Sequence, residues 1–62
     1  MPMRETVLMK GEIDTLVIVT TAAGTEVLDG EEEVIAAYTE DRHEEVLAAY
    51  LKKGWEIEED GP

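Results

Sequence analysis

The sequence lacks cysteine and has a single histidine among its 62 residues. A chain of this length builds one small core, and such domains are often reinforced by disulfides or a structural metal. Disulfides are excluded here, and so is a zinc site made of cysteines and several histidines. We therefore expect one domain over residues 1–62, without cofactor or metal, stabilised by packing, local propensity or association.

Long apolar runs are also missing. The most apolar stretch, Leu16 to Val19, is far shorter than the roughly 20 residues that span a bilayer. It follows Glu12 and Asp14, unlike the basic start of a secretory leader. We expect a cytoplasmic protein that makes no contact with a membrane.

Positive charge is scarce. The chain has 16 Asp and Glu but only 5 Lys and Arg, so its net charge is −11 at pH 7. Binding of phosphates requires cationic side chains, and direct binding of nucleic acid is therefore not expected. The imbalance is uneven, because thirteen of the acids and only three of the bases lie in residues 26–62.

Two segments near the N-terminus have the composition of β-strands. Thr6 to Met9 and Ile13 to Thr20 are rich in β-branched and aliphatic residues, and Lys10-Gly11 separates them as a turn. This pattern predicts an antiparallel hairpin. Leu16 to Val19 are all apolar, so both faces of the second strand are apolar, as in the centre of a sheet.

The next segment also predicts strands. Thr25 to Leu28 favours a third strand, and Asp29-Gly30 is the residue pair of a type I′ turn, which needs positive φ at both central positions. A fourth strand from Glu33 to Thr39 would follow this turn.

An internal repeat supports a competing interpretation. Asp29 to Glu40 and Asp41 to Lys52 are similar twelve-residue units that share Asp, Glu-Glu-Val and Ala-Ala-Tyr in register. The alternative fold is therefore ββααβ, with residues 30–39 helical. We favour the strand, because Asp-Gly is a strong hairpin signal.

The second unit has the signals of a helix over residues 42–53. Asp41 can cap it with Glu44 as the capping-box partner, and Gly54 can end it in the left-handed conformation. Its apolar side chains form one stripe, made of Val46, Leu47, Tyr50 and Leu51.

The end of the chain predicts a last strand and a tail. Residues 55–58 alternate apolar and acidic side chains, which is typical of a strand with one buried face. We expect Trp55 in the core, where it anchors the helix to the sheet. Residues 59–62 are predicted to be a polar C-terminal tail.

Together these elements predict an α+β fold: a four-strand antiparallel meander, then one helix and a fifth strand, joined by a right-handed crossover. One helix covers one face of a sheet, whereas the central strand is apolar on both. The uncovered face should be satisfied by sheet curvature, by self-association or by a protein partner.

No pattern predicts catalysis. There is no Ser or Cys to act as a nucleophile, and His43 lacks a second histidine for a metal site. We expect His43 at the surface or rim. Glu56 and Glu58 lie two apart on a strand, without the buried setting that is typical of catalytic carboxylates. We therefore expect no enzymatic activity.

The acidic clusters are the candidates for contact with a partner protein. Like charges spaced i,i+4 at the start of the helix cost roughly 0.2–0.5 kcal/mol per pair, which folding does not require. The candidate partner-binding residues are Glu31, Glu32, Glu33, Glu40, Asp41, Glu44, Glu45, Glu56 and Glu58. One hypothesis is that these carboxylates imitate nucleic-acid phosphates and block a basic groove, as anti-restriction and anti-CRISPR inhibitors do.

The chain as a whole resembles a computationally designed α+β mini-protein. Ser, Asn, Gln, Cys and Phe are absent, and the turn, the cap and the helix stop use the residues that design rules recommend. The resemblance implies a de novo designed scaffold or protein-binding module, and no motif points to a natural family. A third hypothesis is a small homodimeric accessory protein that uses the uncovered sheet face.

Overall fold

The computed structural model describes residues 4–61. Along this range the chain forms β1 (Arg4–Lys10), β2 (Asp14–Thr21), β3 (Gly24–Asp29), β4 (Val34–Tyr38), α1 (His43–Lys52) and β5 (Glu56–Gly61). The strands make one antiparallel sheet in the order β4-β3-β2-β1-β5. The predicted α+β fold, with one helix between the fourth and fifth strands, is confirmed.

The fourth strand decides between the two interpretations of the repeat. Val34–Tyr38 pairs with β3, with Val27 opposite Ala36 and Leu28 opposite Val34, and a bulge at Ile35 shifts the register between these pairs. The alternative in which residues 30–39 are helical is therefore wrong. Because β4 and β5 are the two edges of the sheet, the connection through α1 carries the chain from one edge to the other.

The core lies between α1 and one face of the sheet. Its buried members are Leu8, Leu16, Ile18, Val27, Val46 and Leu47. Trp55 is partly buried and packs against this cluster, with its ring edge-to-face on Tyr50 and the ring centroids 6.1 Å apart. The predicted core position of Trp55 is confirmed, as is the central position of β2.

The turn between β3 and β4 differs from the prediction. Asp29 stays in β3, paired with Leu16, so Asp29-Gly30 is not the centre of a type I′ turn. The turn is longer: the Asp29 carboxylate accepts the amide hydrogens of Glu31 and Glu33 at 2.8 and 3.0 Å. The positive φ falls on Glu32, at 65°.

The start of α1 also differs. Arg42 is the N-cap and makes no side-chain capping bond, so the capping box of Asp41 and Glu44 is wrong. Asp41 instead accepts the amide hydrogen of His43 at 3.1 Å, and Glu44 pairs with Arg4.

The end of α1 follows the prediction. Gly54 has a φ of 97°, which a residue without Cβ adopts readily. Its amide donates to Leu51 O at 3.2 Å, and the amide of Trp55 donates to Tyr50 O at 3.2 Å. These two bonds are the Schellman arrangement, which satisfies the last carbonyls of the helix.

The last strand is longer than predicted. β5 runs from Glu56 to Gly61, so residues 59–61 belong to the sheet and are not a tail; Pro62 lies outside the described residues. A bulge shifts the register, because Val7 pairs with Glu59 and Leu8 with Ile57. Glu58 occupies the bulge, and Glu56 and Glu59 share a face.

Candidate functional site

The sheet face opposite α1 is left uncovered by residues 4–61. Its centre is a row of aliphatic side chains across three neighbouring strands, in which Val17 pairs with Val7 on one side and with Leu28 on the other. Met9 and Val19 extend the row along β1 and β2. All five side chains are partly exposed, and we call them the open face.

The charged side chains beside the open face are all negative. Strand pairing and alternation place four exposed glutamates on this side of the sheet: Glu5, Glu26, Glu56 and Glu59. Val19, for example, is flanked by Glu5 on β1 and by Glu26 on β3. The open face is therefore apolar in the middle and anionic at its border.

The basic side chains lie on the other side of the molecule. Arg4 forms ion pairs with Asp60 and Glu44, and Arg42 lies over the ring of Tyr38 at the start of α1. The three lysines gather near the end of α1: Lys10 approaches Gly54, Lys52 lies in the last helical turn, and Lys53 is the C-cap. The molecule thus has one purely anionic face and one face of mixed charge.

A second polar arrangement lies in the interior, where α1 begins. Thr6, Thr20, Thr25 and His43 are each at most 2% exposed. His43 Nε2 lies 2.7 Å from Thr6 Oγ1, and Nδ1 lies 2.8 Å from Thr20 Oγ1. The expectation that His43 is a surface residue is wrong, because α1 begins over the sheet and turns the imidazole toward the threonines.

A sequence signal for this burial exists. His43 lies three and four residues before Val46 and Leu47, and residues at those spacings share a helix face. The apolar stripe of α1 therefore continues through His43, and the imidazole is the polar end of that stripe.

The hydrogen bonds around His43 assign its tautomer. Thr6 donates its hydroxyl hydrogen to Asp60 Oδ1 at 2.7 Å, since a carboxylate only accepts. Thr6 Oγ1 therefore accepts from Nε2–H of His43. In a neutral imidazole Nδ1 is then an acceptor, and Thr20 donates to it.

The same direction continues through the threonines. Because Thr20 gives its hydrogen to His43, it accepts from Thr25, whose hydroxyl oxygen lies 2.7 Å away. Thr25 in turn accepts the amide hydrogen of Arg42 at 3.0 Å. A neutral His43 thus completes a continuous hydrogen-bond chain from the start of α1 to Asp60, and each hydroxyl donates once and accepts once.

Two pKa values are shifted along this chain. Burial lowers the pKa of His43, and the positive charge of Arg4 acts in the same direction, against the nearby carboxylates of Asp60, Asp41 and Glu44. The pKa of Asp60 falls to about 2, because Arg4 and then Thr6 donate hydrogen bonds to its carboxylate. Both shifts favour a neutral His43 and an ionised Asp60, which are the protonation states that the hydrogen-bond directions require.

Threonine, histidine and a carboxylate also make up nucleophilic triads, but the order here is different. In a triad the carboxylate holds the imidazole, and the hydroxyl faces the substrate. Here Asp60 bonds to the hydroxyl of Thr6, and that residue is 0% exposed. The arrangement can hold a neutral imidazole in the core, but it presents no nucleophile to a substrate.

The structure separates the nine acidic candidates into three groups. Glu40, Asp41, Glu44 and Glu45 surround the start of α1, where Arg4 and Arg42 pair with three of them. Glu31, Glu32 and Glu33 lie in the turn before β4, at the opposite end of the sheet. Glu56 and Glu58 lie on β5. Of the nine, Glu56 borders the open face. The other bordering residues, Glu5, Glu26 and Glu59, are not among the candidates predicted from the sequence.

Metal and membrane sites were sought in the same range. Within residues 4–61 no three His, Asp or Glu side chains are placed to hold a metal ion. The helix of this range, α1, is not one that could cross a membrane.

The chain matched no protein-family model, no curated protein and no solved structure in the comparisons made.

Proposed function

We propose that this protein is a non-enzymatic binding domain whose open face docks on the basic surface of a partner protein. The observation that carries the proposal is the combination of a contiguous aliphatic row and a border of four glutamates, with no base on the same face among residues 4–61. A partner surface with an apolar centre and a rim of Lys and Arg would be complementary to this arrangement.

The aliphatic row supports a contact with protein. Contiguous exposed apolar surface on a small domain marks interaction sites, since water solvates it poorly. Five strands spaced about 4.8 Å apart give a face roughly 20 Å wide. With strands of 5–8 residues and about 3.3 Å per residue, the area of this face is roughly 400 Å², below the roughly 800 Å² per partner of a standard interface. We expect a reversible complex of micromolar affinity.

The charges favour a basic partner over a second copy of the chain. Two copies that met through their open faces would bring their glutamates together, and like charges across an interface cost several kcal/mol. A partner with Lys and Arg around an apolar centre gains from the same glutamates. It also associates faster at low salt, because opposite charges steer the encounter.

A partner that itself binds DNA or RNA is a narrower form of the proposal. The density of carboxylates, 16 in 62 residues, suits a surface that otherwise holds phosphates. In that case duplex DNA or RNA would compete with this domain for the partner.

A capture experiment with matched variants tests the proposal. The immobilised protein is incubated with cell lysate at low salt, and bound proteins are quantified by mass spectrometry. Val17→Lys places a cation in the centre of the open face, and Ala48→Lys adds the same charge at an exposed position of α1. We expect wild type and Ala48→Lys to capture the same basic proteins. The amount that Val17→Lys captures should be lower by about tenfold or more, as when a residue at the centre of an interface is truncated.

A second variant separates loss of binding from loss of folding. Val17→Thr keeps the β-branched shape and strand propensity but adds a hydroxyl, and we expect weaker capture by a folded protein. Capture that all variants share, or that salt does not release, would contradict the proposal. Sedimentation of a dimer that Val17→Lys dissociates would indicate a second copy as the occupant.

A further inference from the structure

The two edges of the sheet differ in charge. β5 carries four acids, Glu56, Glu58, Glu59 and Asp60, whereas β4 has no charged residue. An edge strand exposes unpaired N–H and C=O groups with which another chain can pair, and charged side chains are a common protection against this. β5 has that protection, and β4 lacks it.

The side chains of β4 are exposed although most are apolar. Val34 and Ile35 are each 51% exposed and Tyr38 is 39% exposed. In residues 4–61 no strand lies beyond β4. Its outer side is therefore open for pairing.

Two clefts flank this edge, one on each face of the sheet. The first, of about 250 Å³, is lined by Thr21, Ala23, Glu26 and Ala37 on the side of the open face. The second, of about 210 Å³, lies between β4 and α1 and is lined by Arg42, Glu45, Val46, Ala49, Tyr50 and Lys53. Tyr38 lines both. Each cleft is below the roughly 300 Å³ of small-molecule pockets and suits single side chains.

We propose that β4 binds an extended segment of a partner protein as a sixth strand, whose side chains alternate between these two clefts. Successive side chains of a strand point to opposite faces, so a strand paired with β4 reaches both clefts at once. When an extended peptide adds a strand to the edge of a sheet, backbone hydrogen bonds supply the affinity, and pockets for alternate side chains supply the specificity.

The linings of the clefts define the segment. Glu26 is the charged residue of the first cleft, which favours Lys or Arg there. The second cleft combines Val46, Ala49 and Tyr50 with charged residues of both signs, and its apolar part favours an aliphatic or aromatic side chain. The segment therefore alternates basic and apolar residues. The contact goes beyond the open face, since it uses the backbone of an edge strand.

The surrounding charges exclude a second copy of β4 as the preferred occupant. Glu31, Glu32 and Glu33 precede β4, and Glu40 and Asp41 follow it. Pairing of two β4 strands would bring these acids together, in either orientation, at the cost that like charges carry. A segment that is basic at both ends is attracted instead.

Two synthetic peptides of the same composition test the proposal. Lys-Val-Lys-Phe-Lys-Val-Lys has the required alternation, whereas Lys-Lys-Lys-Lys-Val-Phe-Val has the same charge without it. We expect the alternating peptide to bind about tenfold tighter or more, because it alone fills both clefts while paired. Amide hydrogen exchange, followed by NMR, should slow at residues of Val34–Tyr38 when the alternating peptide is bound.

Two lysine variants locate the contact. Ile35→Lys places a cation on β4, and Ile57→Lys places the same cation on β5, where Ile57 is 45% exposed. Since an edge lysine blocks pairing, Ile35→Lys should lower the affinity about tenfold, whereas Ile57→Lys should change it less than about twofold.

Other outcomes overturn the proposal. Equal affinity for the two peptides would indicate attraction by charge alone, and equal effects of the two variants would exclude β4 as the site. A dimer that Ile35→Lys dissociates would show that a second copy pairs there. Val17→Lys changes the open face but leaves the backbone of β4 unchanged, so it tests docking through the open face alone. Failure of open-face docking can therefore be told apart from failure of strand addition.

Discussion

At the scale of single residues, protonation of His43 would disrupt the hydrogen bonds of the core. In a protonated imidazole both nitrogens donate, so Nδ1–H would meet the hydrogen that Thr20 now donates to it. Thr20 would have to turn toward Thr25, whose own hydroxyl hydrogen would then lose its acceptor. A buried donor without a partner costs about 1–3 kcal/mol. The hydrogen-bond geometry and the burial of His43 therefore act in the same direction.

The stability of the protein should therefore depend on pH through His43. The pKa of His43 is lowered in the fold, whereas in the unfolded chain it is about 6.5. Between these two values the unfolded state binds more protons, so the stability that neutral His43 contributes is complete above pH 6.5. It is lost as the pH falls through the lower, folded value. Each unit of pKa difference corresponds to about 1.4 kcal/mol.

The measurement compares wild type with His43→Gln by urea unfolding at several pH values from about 7.5 to 5. We expect the free energy of unfolding to fall with pH more steeply in wild type, while the carboxylates, common to both proteins, cancel in the difference. NMR titration of His43, the one histidine of the chain, gives its folded pKa directly. A midpoint at or above about 6.5 would contradict the prediction.

At the scale of elements, the repeat shows what local sequence decides. Glu-Glu-Val and Ala-Ala-Tyr occur in both twelve-residue units, yet the first unit forms β4 and the second forms α1. In the first unit the Asp29 carboxylate closes a turn, and the strand that follows pairs with β3. In the second, His43 docks on the threonines of the sheet and Gly54 ends the helix. Contacts outside the shared pattern therefore select the conformation.

The same distinction separates what could be predicted from what could not. Alternation and turn residues were enough for the order of the elements, for the central β2 and for the helix stop at Gly54. The extent of β5 was not predictable, because Asp60 is held by Arg4 and Thr6, more than 50 residues away in sequence. The burial of His43 likewise depends on hydroxyls from two different strands, those of Thr6 on β1 and Thr20 on β2.

The turn between β3 and β4 carries a prediction of its own. Glu32 has a φ of 65°, a conformation that costs a residue with a Cβ roughly 1–2 kcal/mol. Glu32→Gly removes this cost but loses more conformational entropy on folding. We expect a net gain of about 0.5–1 kcal/mol in the free energy of unfolding, measured by urea denaturation at pH 7.

Glu31→Gly is the matched control for this turn. It removes the same charge one residue earlier, where φ is not positive, so the glycine brings only the entropic loss, and stability should fall by about 0.5–1 kcal/mol. If both variants gained stability equally, relief of charge repulsion would be the cause and the backbone explanation would be wrong.

At the scale of the whole molecule, negative charge has a cost to folding beside the role in binding that we propose for it. A net charge of −11 is confined to a body with extents of 31 × 22 × 19 Å. The four arginine ion pairs are partly exposed, and such pairs contribute little to stability. Mutual repulsion of the carboxylates should therefore dominate the electrostatic free energy of the native state.

Salt provides the test at this scale. At about 0.01 M ionic strength the Debye length is about 30 Å, so the carboxylates repel one another across nearly the whole molecule, whereas at 1 M it is about 3 Å and this repulsion is screened. We expect the melting temperature at pH 7 to rise as NaCl is added over this range. The triple variant Glu31→Gln, Glu32→Gln, Glu33→Gln removes three carboxylates from one turn, so it should melt higher at low salt and gain less from NaCl. A melting temperature that falls with salt would mean that the ion pairs of Arg4 and Arg42 outweigh the repulsion. Those ion pairs use Glu40, Glu44, Glu45 and Asp60, not the glutamates that border the open face, so the proposed contact with a basic partner does not depend on this outcome.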